Sequence, residues 1–239
     1  MFDTAKTDTK LALDGVTSGY GPVAIIKDLT LAIRRGEIFA LMGKNGMGKT
    51  TLLKTILGLV AARAGDIRLD GRSIVGAAPK TLIASGVGYA PQEQPLFTDL
   101  SIRDNLRLAV RSDRELEAAL ERVFVHFPFL RDRLGQKAGT LSGGEQKMLI
   151  LSRALMLKPD LILIDEISEG LQPTVVARIA KALQAERAEN GTTVLLVEQN
   201  LNFALEVADR WAVLKLGEID DSGAVDASSR DRILEHLKI

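Results

Sequence analysis

At roughly 150 residues per domain, a chain of 239 residues holds one large domain or one core with a sizeable insertion, and its 46% hydrophobic and 26% charged residues exclude a disordered or fibrous class. Lys+Arg and Asp+Glu are both 31, so no chain-wide field recruits nucleic acid or anionic lipid. With no Cys and only His126 and His236, disulfides, thiolate zinc sites, a cysteine nucleophile and a multi-histidine metal centre are excluded as well.

No apolar run approaches the ~20 residues that span a bilayer, and Met1-Phe2-Asp3-Thr4-Ala5-Lys6 is too polar to open a signal peptide. A cytoplasmic protein is expected, free to sit against a membrane protein. Leu29 to Arg34 and Ile67 to Asp70 alternate apolar and polar residues and predict half-exposed antiparallel strands, the second ending in an Asp70-Gly71 turn. Ile38-Phe39-Ala40-Leu41-Met42, Leu161-Ile162-Leu163-Ile164 and Val194-Leu195-Leu196-Val197 are unbroken apolar runs and predict central strands of a parallel sheet. Between them the pattern turns helical. Ser112 to Glu115 has capping-box spacing before a helix that Pro128 stops, and a second helix is predicted from near Ser142 to Leu157. Pro173 opens an amphipathic helix that Asn190-Gly191 ends. The expected architecture is α/β: a mainly parallel sheet, an antiparallel β part near the N-terminus and an inserted helical part. No linker cuts the chain, so one domain over 1–239 is expected, with 1–94 and 159–239 as core and 95–158 as the helical insert.

Gly43-Lys44-Asn45-Gly46-Met47-Gly48-Lys49-Thr50 fits G-x-x-x-x-G-K-[ST], follows a buried strand and precedes a helical pattern from Thr51 to Leu57. Glycines turn the backbone N–H groups toward phosphate oxygens, and the helix N-terminus adds its positive dipole. Lys49 would reach the β- and γ-phosphates and the Thr50 hydroxyl would bind Mg²⁺. Asp165 and Glu166 close a buried strand at its C-terminal end, where ligands sit in open α/β sheets. There Asp165 would hold Mg²⁺, while Glu166 would orient or deprotonate the attacking water. Ser142 and Glu145 in Leu141-Ser142-Gly143-Gly144-Glu145-Gln146 form a capping box, but two glycines each weaken a helix by about 1 kcal/mol. Close backbone approach to an anion would explain them.

In this order, the phosphate loop, the run Leu141 to Gln146 and the Asp165-Glu166 pair resemble the nucleotide-binding subunit of ATP-binding cassette transporters, over essentially the whole chain. Chance occurrence of the six-residue signature is on the order of 1 in 100,000 from residue frequencies. The resemblance implies an ATPase using ATP and Mg²⁺, with Gly43 to Thr51 and Ser142 to Gln146 binding nucleotide. Tyr20 lies where the family has an adenine-stacking aromatic, and reads otherwise as an edge-strand aromatic. Gln92 matches a glutamine that touches Mg²⁺ and links core to insert, with Gln94 as the fallback. Two chains would face head to tail, so that Ser142 to Gln146 of one closes over ATP on the other. The implied partners are that second ATPase chain, identical or related, integral-membrane permease subunits and, indirectly, a solute-binding protein, at the inner face of the cell membrane.

Three residues depart from the family pattern. Ile167 replaces a proline whose fixed φ would brace Glu166, Gln172 replaces an aspartate, and Gln199 replaces a switch histidine, keeping a donor for the γ-phosphate but no proton to titrate. Val197 to Asn200 and Glu169 to Pro173 resemble the subunits that energise uptake of branched-chain and other hydrophobic amino acids, the latter segment also the urea or short-amide branch. The rival reading is a cassette ATPase acting on nucleic acid or ribosomes, against which stand zero net charge and no long heptad run. His126 reads as a packed or capping histidine and Glu218 to Asp226 as a solvated acidic turn. Leu96, Phe97 and Leu100 read either as a hydrophobic staple or as the border of a groove for a membrane subunit.

Overall fold

The computed structural model describes residues 8–92 and 96–237. Two long strands, β1 (Thr9–Tyr20) and β2 (Val23–Arg34), pair antiparallel, and β2 buries Leu29, Leu31 and Ile33 while exposing the residues between them. The strand β3 (Ile38–Met42) is buried throughout and leads into α1 (Lys49–Ile56). Next come β4 (Ala62–Leu69), the Asp70-Gly71 turn, the short β5 (Arg72–Ser73), α2 (Pro79–Ala84) and β6 (Val87–Ala90). A helical stretch follows, with α3 (Ile102–Arg107), α4 (Asp113–His126), two 3-10 turns and α5 (Gly143–Leu155). The chain then alternates through β7 (Leu161–Asp165), α6 (Pro173–Asn190), β8 (Thr193–Glu198), α7 (Leu201–Val207) and β9 (Arg210–Lys215), and ends in β10 (Glu218–Ala224) and α8 (Ser229–Leu237).

These strands form two sheets, a four-stranded antiparallel one in the order β2-β1-β4-β5 and a six-stranded one in the order β10-β9-β3-β8-β7-β6. In the larger sheet only β10 runs antiparallel. The three unbroken apolar runs are therefore its inner strands, because burial on both faces leaves no solvent face that would favour polar residues. Alternation decides which layer each side chain joins. Ile162, Ile164, Val194 and Leu196 pack with α3 to α6, while Leu161, Leu163, Leu195 and Val197 pack with α1 and the antiparallel sheet. The helical stretch thus shares its core with the large sheet.

Three local readings are corrected. Ser112 makes no side-chain cap; instead the Arg111 N–H donates to Glu115 Oε2 at 3.4 Å. No hydrophobic staple forms at α3, because the residue one turn in is Asn105, fully buried, whose side chain clasps both the N–H and the carbonyl of Phe97 at 2.9 Å and leaves the Phe97 ring exposed. Of the acidic stretch, Glu218, Asp220 and Asp221 lie on strand β10 and only the exposed Asp226 sits in a turn; α8 engages the strand, Arg232 and His236 reaching Asp221 and His236 Nδ1 lying 2.8 Å from Asp220. His126 is packed as expected, its Nε2 being 2.8 Å from the buried Glu186 of α6.

The indole of Trp211, the one tryptophan, is fully buried and donates to the equally buried Ser229 Oγ at 3.0 Å, anchoring α8 to β9. Replacing Ser229 by Ala strands that N–H. The expected cost is about 1–3 kcal/mol, read as a lower urea midpoint in Trp211 fluorescence; an unchanged midpoint would remove Ser229 as the anchor.

Candidate active site

Strand β3 delivers the chain at Met42 into the glycine-rich loop. Gly46 and Gly48 have φ of +81° and +103°, a region costly for residues with a Cβ, and a Cβ on Gly48 would stand 2.9 Å from Ile26 Cδ1. Gly48 caps α1, whose first-turn N–H groups open onto this loop. Lys44 and Asn45 are exposed, Met47 and Thr50 half-buried, and Thr51 buried. Lys49 folds back under the loop: it is 4% exposed, and its Nζ donates to the Gly43 carbonyl at 2.7 Å and the Lys44 carbonyl at 2.9 Å. The same ammonium pairs with Glu166 Oε1 at 2.9 Å.

Glu166 stands one residue past β7 with φ of +45°, a left-handed conformation that costs roughly 1–3 kcal/mol in a residue other than glycine. Its N–H donates to Val197 O of β8 at 2.9 Å, which helps hold that conformation. Its second oxygen, Oε2, accepts from Gln92 Nε2 at 2.9 Å and from Gln199 Nε2 at 2.8 Å. Both carboxylate oxygens are thus occupied by donors from three separate segments: the phosphate loop, the end of β6 and the end of β8. Gln199 Nε2 also lies 2.7 Å from Asn45 Oδ1, reaching across to the loop. The Gln92 amide meets Glu169 as well, at 2.9 Å. Gln94, the fallback, lies outside the described residues.

Asp165 and Thr50 meet at 3.2 Å, the Thr50 hydroxyl donating to Oδ1. The other oxygen of Asp165, Oδ2, is buried and has no hydrogen-bond partner among the described residues. Burial holds this carboxyl above the usual carboxylate range, opposed by the Thr50 hydrogen bond. An orphaned buried carboxylate oxygen beside a threonine hydroxyl fits Mg²⁺, which takes one or two protein oxygens and completes its octahedron with phosphate and water. Among the described residues no group of His, Cys, Asp and Glu is large enough to hold a metal alone. Asp165 also helps push the Tyr89 hydroxyl up to about 12, after burial itself.

Ile167, in the place of a proline, is 2% exposed and packs into the core beside Ile164, so burial anchors the strand exit where a rigid ring would otherwise do so. Glu198, which the sequence reading passed over, is 1% exposed and receives the N–H and the hydroxyl of Ser168, both at 2.9 Å. It ties the loop after Glu166 to the segment carrying Gln199. Its signal was legible: a carboxylate closing an unbroken apolar strand must find donors. Burial raises its carboxyl above the ordinary value. Gln172, the third departure, precedes α6 and makes no side-chain cap.

The signature segment stands apart from this cluster, and no hydrogen bond joins 142–146 to the phosphate loop among the described residues. Ser142 caps α5 in a complete capping box with Glu145, whose carboxyl is held low by the Ser142 N–H. The Gln146 amide bonds the Leu141 carbonyl at 3.2 Å. The two glycines divide in role. A Cβ on Gly144 would lie 2.9 Å from Val175 Cγ2 of α6, so packing within the chain already explains it; Gly143 is exposed and a Cβ there would meet nothing within 4 Å. Tyr20, half exposed, ends β1 at the hairpin tip, where Arg63 braces the Gly21 carbonyl at 2.7 Å.

Residues 26–169 match the family model described as "ABC transporter". The chain is 40% identical over 218 residues to the high-affinity branched-chain amino acid transport ATP-binding protein BraG of Pseudomonas aeruginosa, covering 90% of this chain and 93% of the relative. It is 34% identical over 225 residues to a probable branched-chain amino acid transport ATP-binding protein LivF of Archaeoglobus fulgidus, covering 93% of each. It is also 32% identical over 235 residues to the lipopolysaccharide export system ATP-binding protein LptB of Escherichia coli, covering 95% of each. Among solved structures, a dimeric bacterial ABC transporter cassette aligns with a TM-score of 0.81 and 26% identity over 91% of this chain and 99% of that one. An ATP-binding cassette in its ADP conformation shares the fold at a TM-score of 0.84, with 23% identity over 96% of each. The loop, the paired carboxylates and the signature thus stand in the fold that these comparisons describe, and the chain belongs to the ABC transporter family as one of its ATP-hydrolysing cassettes.

Proposed function

We propose that this cassette powers uptake of branched-chain or other hydrophobic amino acids by a membrane transporter, using Glu166 as the base of ATP hydrolysis. The observation that carries the catalytic part is the convergence of Lys49, Gln92 and Gln199 on the two oxygens of Glu166. The uptake part rests on the 40% and 34% identity to the two branched-chain amino acid relatives, against 32% to the export relative.

When ATP enters, its phosphates compete with Glu166 for the Lys49 ammonium, since a polyanion at the loop outbids a single carboxylate. Lys49 then faces the β- and γ-phosphates and Glu166 Oε1 is released to accept a proton from water attacking the γ-phosphorus. Gln199, already 2.7 Å from Asn45 of the loop and 2.8 Å from Glu166, is placed to donate to the γ-phosphate as charge moves. Thr50, Asp165 and Gln92 would hold Mg²⁺, which would supply positive charge to neutralise the phosphates. Tyr20 would stack on adenine. Ser142 to Gln146 would close over ATP on a second cassette chain, Gly143 presenting its bare backbone to the phosphates. An apolar groove of about 380 Å³ lined by Ile83, Val87, Tyr89, Leu108, Ile150 and Leu157 would receive a permease subunit, at the inner face of the membrane, with a solute-binding protein on the far side.

Glu166→Gln tests the base. Turnover should fall by at least ~100-fold, the usual worth of a general base, while Mg²⁺-ATP binding persists and ATP traps a dimer on size-exclusion chromatography; near-normal hydrolysis would refute the assignment. Alanine at the two signature glycines separates packing from nucleotide contact. Gly144→Ala overpacks against Val175 and should lower the thermal midpoint, costing about 1–3 kcal/mol before any helix gain, whereas Gly143→Ala should leave the midpoint unchanged or raised and impair ATP-dependent dimerisation. Normal dimerisation by Gly143→Ala would show that this position never meets the second nucleotide.

A further inference from the structure

Lys147 is the sixth residue of the segment running from Ser142, one place beyond Gln146, and is half-buried. Its ammonium donates to the backbone carbonyl of Gln92 at 2.9 Å. From that same residue, the side-chain amide reaches Glu166 Oε2 and Glu169 Oε2, both at 2.9 Å. A continuous chain of polar contacts therefore runs from the first turns of α5, through Lys147 and Gln92, to the carboxylate at the end of β7. It crosses a cleft of about 600 Å³ whose walls include Gln92, Leu96, Gln146, Lys147, Glu169 and Leu171.

The contact is chemically suited to fixing a loop. Gln92 lies past the end of β6 (Val87–Ala90), so its carbonyl must find a donor outside the sheet. A half-buried ammonium is a strong one, because charge-assisted hydrogen bonds are shorter and stronger than neutral ones. Burial pulls the Lys147 ammonium below its usual value, and the carboxylates of Glu169, Glu198, Asp165 and Glu166 oppose that pull. Lys147 thus faces the acidic end of the site while its directed bond goes to Gln92.

We propose that Lys147 is a positioning residue that ties α5 to the Gln92 backbone and so holds the Gln92 amide at Glu166 and Glu169. The consequence concerns coupling between chains. Ser142 to Gln146 are the residues read above as closing on a second cassette's nucleotide, and Lys147 rides on the same two turns of helix. A shift of α5 on closure moves the Gln92 carbonyl, and with it a donor on the base of its own site. The strut rests on Glu166 being that base, and no residue in it touches nucleotide except through Gln92.

A double-mutant cycle on the full chain tests this. Lys147→Met keeps length and loses the donor. In the wild-type background it should lower kcat at saturating Mg²⁺-ATP on the order of tenfold, leave KM for ATP within about twofold and leave the thermal midpoint unchanged. In a Gln92→Ala background it should change kcat by less than about twofold, because no amide remains to be positioned. Lys147→Gln, too short to reach the carbonyl, provides the same cycle independently, so that misfolding of one variant does not void the test. An equal fold-loss in both backgrounds, or an undiminished kcat in the wild-type background, would overturn the role. Glu166→Gln in the same assay keeps the two readings apart: an active Glu166→Gln refutes the base, while an inactive one beside an undiminished Lys147→Met refutes only the strut.

Discussion

The site depends on one buried ion pair. Lys49 and Glu166 meet at 2.9 Å with side chains only 3% and 4% exposed, and removing two charges from water costs several kcal/mol per ion unless every remaining donor and acceptor is satisfied. Here they are. Two backbone carbonyls take the other Lys49 protons and two glutamine amides fill the second Glu166 oxygen. Such a pair stores little net stability, but it poises a cation under the phosphate loop and a carboxylate at the strand end, each held by a partner that a polyphosphate can displace. The same contact that protects both charges also masks the carboxylate proposed as the base, so exposing Glu166 becomes conditional on something else claiming Lys49.

Everything around the pair serves to aim it. Parallel pairing of β3 with β8 and of β8 with β7 brings three strand ends to one edge of the sheet, which is why residues 49, 166 and 199 can meet. Glu166 occupies a left-handed conformation that local energetics disfavours, held by the Val197 carbonyl on one side and by the buried Ile167 on the other. Glu198 adds a second tie beneath it by gathering Ser168. Strain concentrated at one residue and offset by its neighbours is consistent with the role proposed for Glu166.

Much of this was legible in the chain itself. Unbroken apolar runs identified the inner strands, alternation identified the half-exposed ones, and the glycine-rich loop and the Asp165-Glu166 pair announced their chemistry through residue types at fixed spacing. What was not legible depends on distant partners. Glycine pairing at 143 and 144 looks uniform in sequence, yet Val175, some thirty residues on, gives one of them a packing reason and leaves the other open. The residue at 105 reads as a helix position until its amide is seen closing on Phe97. Lys147 carries no motif at all, since its meaning comes from the carbonyl it reaches. Asp220 and Asp221 looked like part of a solvated turn because their partners His236 and Arg232 on α8 lie beyond the local window.

The most direct measurement of the central exchange is a crystal structure of the wild-type chain with Mg²⁺ and a non-hydrolysable ATP analogue. The expected result is Lys49 Nζ within hydrogen-bond distance of β- and γ-phosphate oxygens and out of reach of Glu166, whose freed oxygen faces the γ-phosphorus through a water. A structure in which nucleotide is bound while Lys49 and Glu166 remain paired would contradict the exchange, and with it the release of Glu166 as the base.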